Sequence, residues 1–194
     1  MNLYQILALG ILAVYYTAYI VKLLGQKKRG IQTAQLGKGN KGKQTLRVEK
    51  TLQVASFLGI AVEFISVILN TCEGVFPILR LVGICSTGVG TLVFIVAMIT
   101  MQDSWRAGIP SEDKTELVTS GIYGFSRNPA FLGFDLVYLG IGVAFFNLIL
   151  LGVTLFGVIM FHLQILEEEK HLSKVFGEEY EAYKKRVGRY IWKI

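Results

Sequence analysis

Four long apolar stretches dominate the chain, and their lengths predict helices that cross a membrane. They are Leu3–Val21, Leu52–Thr71, Leu81–Met101 and Phe131–Leu166. A helix needs about 20 apolar residues to span the hydrocarbon core of a bilayer. The fourth stretch is too long for one span and too short for two, so it predicts a tight helical hairpin over 130–166 that turns near Asn147. The expected fold class is all-α: a multi-pass membrane helical bundle of about five transmembrane segments, the last two forming the hairpin.

The composition agrees with a membrane protein and excludes an ordinary soluble domain. Of the 194 residues, 53% are hydrophobic and only 18% are charged, whereas soluble domains carry about 25% charged residues. The net charge of +6 comes largely from basic residues in a first connection, 25–50, and in the C-terminal tail. Because basic loops stay in the cytoplasm, we predict an outside N-terminus and a cytoplasmic C-terminus, in a prokaryotic plasma membrane. The basic excess sets orientation, and no nucleic acid partner is expected.

The layout divides the chain into two parts. Residues 1–101 hold three predicted segments and the basic cytoplasmic loop, whose glycine-rich part, 37–43, we expect to be a solvated connector near anionic lipid. Residues 102–194 hold the hairpin, the polar stretches that flank it and the tail. Small residues in the third segment and in the hairpin predict close packing between helices: Gly83, Ser86, Gly88, Gly90, Gly140 and Gly142.

The apolar stretches also contain ionisable residues. A carboxylate inside a membrane is costly and often functional, so Glu63 is either functional or paired with a neighbouring helix. Asp135 contacts a ligand or makes a structural hydrogen bond, and His162 is expected to be a satisfied core residue. The only cysteines, Cys72 and Cys85, lack the spacing of a metal or redox motif. They are expected to pack as small residues, and no metal site is predicted.

The first of two polar clusters covers residues 116–131, before the hairpin. Its glycine and proline spacing resists one continuous helix. Pro129 suits the first turn of the next helix, and Asn128 can cap that helix. This leaves backbone N–H groups and the cation of Arg127 together at the membrane surface, where they suit an anionic or zwitterionic ligand.

The second cluster is the acidic run Glu167–Glu169 at the end of the last span. Acids at a helix C-terminus oppose the helix dipole, unless the helix continues or the acids bind something cationic. A hairpin brings its two ends together, so we expect Arg127 and Glu168 to be neighbours in space.

Both clusters resemble the isoprenylcysteine carboxyl methyltransferase family and its relatives, the membrane phospholipid methyltransferases. The first fits L-V-x-x-G-[IV]-Y-x-x-x-R-[HN]-P-x-[YF] over 117–131, and the second fits E-E-x-x-L-x-x-x-F-G-x-x-Y-x-x-Y over 168–183. The resemblance implies a membrane methyltransferase that uses S-adenosyl-L-methionine. Carried over by position, it implies these cofactor contacts: Leu117, Val118, Tyr123, Asn128, Pro129, Ala130, Phe131 and Glu168.

In this interpretation, Glu168 pairs with the ammonium of the cofactor and Arg127 with its carboxylate, and both are candidate catalytic residues. The implied acceptor is a lipid-like or prenylated molecule that enters from the bilayer. Two positions depart from the prenylcysteine branch of the family. Asn128 stands where that branch usually has histidine, and Gln164 stands where it carries an arginine suited to an acceptor carboxylate. Without that cation, a lipid amine or another lipid-like nucleophile is favoured over a carboxyl group.

Two other functions remain open from the sequence. An NADPH-dependent membrane reductase of the steroid-reductase type has a similar helical architecture, although no clear NADPH signature is present. A non-enzymatic small membrane protein or transporter predicts that Arg127→Ala and Glu168→Ala are tolerated. The tail over 178–194 mixes aromatic and basic residues, which predicts an interfacial segment that helps close the cofactor pocket. Trp105 is expected either to anchor the chain at the interface or to touch the substrate.

Overall fold

The computed structural model describes residues 1–70, 74–110 and 115–191. Within these ranges the chain forms five α-helices: α1 (Leu3–Lys28), α2 (Lys43–Leu69), α3 (Pro77–Met101), α4 (Pro129–Ala144) and α5 (Leu148–Arg186). Two 3₁₀ turns, Gln102–Ser104 and Gly121–Gly124, lie between α3 and α4. The predicted all-helical membrane fold is confirmed. Cys72 and residues 192–194 of the predicted tail lie outside the described residues.

Four helices, α1, α2, α3 and α5, are long and apolar enough to cross a membrane, whereas α4 has only 16 residues. At about 1.5 Å per residue, α4 rises about 24 Å and falls short of the hydrocarbon core, which is about 30 Å thick. Helix α5 has 39 residues. Its apolar part ends at Leu166, and the helix continues beyond the span from Glu167. The fourth predicted segment is therefore a short helix that covers only part of the bilayer.

The helix ends gather at two opposite faces of the bundle. At one face, the hydroxyl of Thr45 near the start of α2 donates to Glu167 Oε2 at 2.6 Å. At the other face, Gln5 Nε2 of α1 donates to the carbonyl of Val67 in α2 at 2.8 Å. The start of α1 and the end of α5 therefore lie at opposite faces, as the sequence predicts. The cytoplasmic identity of the α5 face stays a prediction from the basic residues.

The hairpin turns where the sequence predicts it. Asn147 precedes α5, and its side chain accepts a hydrogen bond from the backbone N–H of Leu150 at 2.9 Å, which caps the helix. Pro129 opens α4, as expected. The predicted side-chain cap at Asn128 is wrong, because its amide donates to Glu169 Oε1 at 3.1 Å and makes no capping bond.

Helices α3 and α4 approach each other backbone to backbone through glycines. A Cβ atom at Gly90 would lie 2.7 Å from the carbonyl oxygen of Gly133, and one at Gly133 would lie 2.8 Å from that of Gly90. Gly83 and Gly140 form a second pair of the same kind. The packing role predicted for Gly83, Gly90 and Gly140 is confirmed.

The basic connection between α1 and α2 is shorter and more ordered than predicted. Residues 25–28 and 43–50 of the predicted loop are helical, which leaves 29–42 as the connection. It folds around Glu49, which is 0% exposed. Glu49 Oε2 lies 2.7 Å from Lys41 Nζ, and Glu49 Oε1 accepts from the backbone N–H of Ile109 at 2.9 Å. A buried carboxylate needs such partners, so Lys41 is held against Glu49, whereas most of the glycine-rich part, 37–43, is exposed as predicted.

The C-terminal tail folds back on the open end of the hairpin. Helix α5 kinks at Gly177, where φ is 52° and glycine avoids the strain of a Cβ atom. Beyond the kink, the hydroxyl of Tyr183 donates to the carbonyl of Tyr123 at 2.6 Å. Arg189 Nη2 then lies 2.9 Å from Glu169 Oε2. The tail therefore packs against the cluster at 116–131, and its contact with a lipid surface stays a prediction.

Candidate active site

A cavity of about 730 Å³ lies inside the bundle. Helix α1 packs mainly against α3 and helix α2 mainly against α5, so a gap remains between α1 and α2. The wall is largely aromatic and includes Tyr15, Tyr19, Phe57, Trp105, Phe134 and Phe161. Apolar walls with a few polar groups are typical of small-molecule sites. The cavity is therefore the candidate active site.

One side of the cavity opens toward the lipid-facing surface of α2. Phe57 lines the cavity and is 81% exposed, and its neighbour Val54 is also exposed. Exposed apolar side chains on a spanning helix face lipid, because lipid tails are as apolar as the side chains themselves. The opening between α1 and α2 therefore connects the cavity with the bilayer.

The polar end of the cavity includes two residues one helical turn apart on α5, Gln164 in the last turn of its apolar part and Glu168 just beyond it. Gln164 Nε2 donates to Glu168 Oε1 at 3.0 Å, and both residues line the cavity. Burial raises the pKa of Glu168 to about 7, although the hydrogen bond from Gln164 opposes this shift. A cation bound beside Glu168 would stabilise its charged form.

The structure brings Arg127 beside the acidic run, as the hairpin predicts, but its direct partner is not Glu168. Arg127 pairs instead with Glu169, with 2.8 Å between Nη2 and Oε1. Successive side chains on a helix point about 100° apart, so Glu168 faces the cavity while Glu169 faces the 116–131 cluster. Arg127 also donates from Nη1 to the carbonyl of Val187 at 2.6 Å and does not line the cavity. Its contacts hold the tail in place.

Three of the predicted cofactor contacts line the cavity: Ala130, Phe131 and Glu168. The other five, Leu117, Val118, Tyr123, Asn128 and Pro129, lie outside its lining. Leu117 packs against the tail residues Tyr180 and Tyr183, and Val118 packs against the main core. Burial, and then the nearby charge of Glu168, raise the pKa of Tyr123.

The ionisable residues of the spans lie outside the cavity lining. Glu63 is buried, and its Oε2 accepts a hydrogen bond from the hydroxyl of Tyr16 at 2.9 Å, so it is paired as one reading of the sequence predicts. His162 Nδ1 lies 2.7 Å from the hydroxyl oxygen of Tyr190, which confirms a satisfied histidine. Asp135 does not line the cavity, so the structure does not support its predicted ligand contact.

Much of the cavity comes from the N-terminal half, which the motifs do not reach. Tyr15 and Tyr19 are spaced by four residues, which places them on one face of α1. This spacing is the sequence signal from which the α1 side of the cavity wall could have been predicted. Trp105 is only 3% exposed and lines the cavity. The interface-anchor alternative for Trp105 is therefore wrong, and its position favours contact with a ligand.

Comparison with known proteins matches residues 78–179 to the family model described as phospholipid methyltransferase. The matched segment covers more than half of the chain. The chain belongs to the phospholipid methyltransferase family. The segment runs from the start of α3 to Glu179 of α5, so this family match contains both polar clusters, Gln164 and Glu168.

Individual relatives agree with the phospholipid methyltransferase family. The protein-S-isoprenylcysteine O-methyltransferase of Xenopus laevis is 35% identical over 112 residues, which cover 56% of this chain and 39% of that protein. The Rattus norvegicus protein of the same name is 39% identical over 95 residues, covering 47% of this chain and 34% of that protein. The chain thus matches less than half the length of these relatives.

A solved structure has the same fold as this member of the phospholipid methyltransferase family. The eukaryotic intramembrane Ras methyltransferase ICMT (isoprenylcysteine carboxyl methyltransferase) aligns with a TM-score of 0.64 and 21% identity. The alignment covers 98% of this chain and 68% of that chain. The helical membrane architecture is therefore shared over nearly the whole length described here.

Proposed function

We propose that this protein is an S-adenosylmethionine-dependent methyltransferase of a membrane, which methylates a lipid-borne acceptor. Its family membership favours a methyltransferase over the reductase and transporter alternatives. The observation that supports the proposal most is the form of the cavity. One cavity joins the polar pair Gln164 and Glu168 to the lipid-facing residues of α2. A charged methyl donor and a lipid-borne acceptor can therefore meet inside it.

The residues at the polar end fit the cofactor. Glu168 is a carboxylate in an apolar cavity, and Arg127, which the sequence places near it, is bound to Glu169. The cofactor's ammonium supplies the missing cation, through a charge-assisted hydrogen bond. Ala130 and the ring of Phe131 line the same cavity and offer apolar contact to the rest of the molecule. When bound, S-adenosylmethionine supplies an electrophilic methyl group on a sulfonium.

The proposed acceptor carries a prenyl or other lipid chain. Such a chain matches the aromatic wall, and the gap between α1 and α2 lets it enter from the bilayer without crossing water. The relatives' names refer to isoprenylcysteine, which is an acceptor of this kind. Holding the acceptor and the methyl group in line within a dry cavity can contribute up to about 7–11 kcal/mol of the rate acceleration.

The proposed orientation keeps the cofactor end in the cytoplasm and the N-terminus outside. It rests on the basic residues, which concentrate at the face that carries the 29–42 connection and the tail. The relatives named above come from eukaryotes, so they give no support to a prokaryotic plasma membrane.

Binding and transfer of labelled cofactor test the proposal. Purified protein is incubated with radiolabelled S-adenosylmethionine, and then with total membrane lipid or a prenylated peptide, and mass spectrometry identifies whatever gains a methyl group. Glu168→Ala should lose binding, and Glu167→Ala, outside the cavity lining, should keep it. No binding by the unmutated protein in several detergents and lipids would reject the proposal.

A further inference from the structure

Gln164 carries a buried oxygen that lacks a hydrogen-bond partner. The residue is 0% exposed and lines the cavity. Its Nε2 donates to Glu168 Oε1 at 3.0 Å, while its Oε1 has no partner among the residues that the structure describes. Buried polar atoms are nearly always paired in native proteins. An unpaired acceptor in the wall of an active-site cavity therefore points to a ligand that donates a hydrogen bond.

The orientation of this amide is set by its neighbour. Turning the amide over would place Gln164 Oε1 against Glu168 Oε1, which are both acceptors when the carboxylate is ionised. When Nε2 donates to Glu168, the amide oxygen Oε1 remains available to accept a hydrogen bond from a ligand in the cavity. The α5 side of the polar end thus offers two acceptors, the Gln164 carbonyl and the Glu168 carboxylate, beside the second N–H of the Gln164 amide.

The cationic residues of the lining lie on other elements. Lys38 belongs to the connection between α1 and α2 and is exposed. Arg106 follows α3, and its Nη1 donates to the carbonyls of Asp103 and Trp105 at 2.6 and 2.9 Å. A carboxylate placed against α5 would face oxygen atoms of like partial charge.

We propose that Gln164 is a specificity-determining residue whose Oε1 accepts a hydrogen bond from the nucleophilic group of the acceptor. That group then bears an N–H or O–H, as an amine or a hydroxyl does, and acceptors that end in a carboxylate are disfavoured. The inference rests on the proposed methyltransferase function and deepens it. Gln164 acts in recognition only, and no proton passes through it.

A panel of matched acceptors tests this inference on the full-length protein. Three synthetic thioethers carry the same isoprenoid tail and end in an amine, a hydroxyl or a carboxylate. For the unmutated protein, kcat/KM for the better of the two donor-bearing acceptors should exceed that for the carboxylate by about tenfold or more, which corresponds to one good hydrogen bond. An equal or higher kcat/KM for the carboxylate overturns the inference without any mutation.

Two variants separate Gln164 from the cofactor site. Gln164→Met keeps the length of the side chain and removes the carbonyl, so it should lower kcat/KM for the donor-bearing acceptor about tenfold. It also removes the hydrogen bond to Glu168, so the Kd of S-adenosylmethionine is compared well above pH 7, where Glu168 is ionised without that bond and the Kd should change much less than kcat/KM. Gln164→Lys should shift selectivity toward the carboxylate. Gln53→Met is the matched control, because Gln53 also lines the cavity but donates from Nε2 to the carbonyl of Leu36. It should leave selectivity unchanged.

The outcomes distinguish this inference from the proposed function. If Gln164→Met weakens cofactor binding and all acceptors equally, the amide oxygen serves the cofactor and the inference is overturned. Unchanged selectivity in both Gln164 variants overturns it as well. If the unmutated protein binds no cofactor and methylates no acceptor, the proposed function itself fails.

Discussion

Arg127 and Glu169 form an ion pair across 42 residues of sequence, with 2.8 Å between Nη2 and Oε1. Both side chains are less than one-tenth exposed, at 8% and 9%. The other oxygen of Glu169 binds Arg189, and Arg127 also donates to the carbonyl of Val187. One carboxylate therefore joins the start of the hairpin, helix α5 and the tail.

The first prediction concerns the stability of this junction. Arg127→Leu should lower the free energy of unfolding by about 1–3 kcal/mol, because Glu169 loses one buried partner but keeps Arg189. Thermal unfolding in detergent measures the effect. Arg29→Leu is the control, since the pair of Arg29 with Asp103 is 52% and 58% exposed and should contribute no more than about 1 kcal/mol. Equal melting temperatures for both variants would contradict the structural role.

The second prediction concerns cofactor affinity. Glu168→Gln should raise the Kd of S-adenosylmethionine about 10-fold to about 100-fold, because it replaces a charge-assisted hydrogen bond worth about 1.5–3 kcal/mol. Equilibrium binding of labelled cofactor gives the value. Glu167→Gln is matched in charge and helix position, but Glu167 accepts from Thr45 and lies outside the cavity lining. It should bind the cofactor normally, and equal loss in both variants would refute the assignment.

The third prediction follows from the raised pKa of Glu168, about 7 in the free protein. The carboxyl is ionised above this pH and protonated below it, whereas the cofactor's ammonium stays charged below about pH 7, since an α-amino group titrates at about pH 8. Affinity for S-adenosylmethionine should therefore fall as the pH drops below about 7, approaching tenfold per pH unit where protonation limits binding. Kd values from about pH 5.5 to about pH 8.5 test this. Glu168→Gln should flatten the profile, and a flat profile for the unmutated protein would rule the mechanism out.

The sequence predicts the helices and the turn of the hairpin because their signals are local. Apolar runs long enough to cross a bilayer fix the spans, and Asn147 interrupts the last run where α5 begins. The sequence also brings the clusters at 116–131 and 167–169 together, because a hairpin must join its own ends. These inferences need no knowledge of side-chain orientation.

The orientation of neighbouring acids is what the sequence leaves undetermined. Glu167, Glu168 and Glu169 differ by about 100° in direction on one helix, and the packing of α5 decides which of them faces the cavity. The acidic run alone does not show which glutamate faces the cavity, so the sequence does not reveal that Arg127 pairs with Glu169. Glu49 is a different case. A single acid within a basic connection is a sequence signal for an ion pair, and the structure shows that Glu49 forms a buried one with Lys41.

The fourth prediction tests the glycine contact between α3 and α4. Gly90→Ala should destabilise the fold by about 1–3 kcal/mol, since the added methyl group meets the backbone of α4 and forces the helices apart. Gly88→Ala lies on the same helix, where a Cβ atom would meet only Ile11 Cδ1 at 3.9 Å, and it should change stability by no more than about 0.5 kcal/mol. Unfolding in detergent compares them. A larger loss for Gly88→Ala would contradict the observed packing.

The last prediction concerns the tail as the outer wall of the cofactor end. Truncation after Gly177 removes Tyr183, whose hydroxyl donates to the carbonyl of Tyr123, and it removes the Val187 carbonyl that Arg127 binds. Tyr123 lies close to Glu168, so loss of the tail should loosen the wall behind that carboxylate and abolish binding of S-adenosylmethionine. Tyr183→Phe is the graded control, because it deletes one hydrogen bond worth about 1 kcal/mol and keeps the ring. It should weaken cofactor binding by no more than about fivefold, whereas unchanged affinity in the truncated protein would show that the cavity holds the cofactor without the tail.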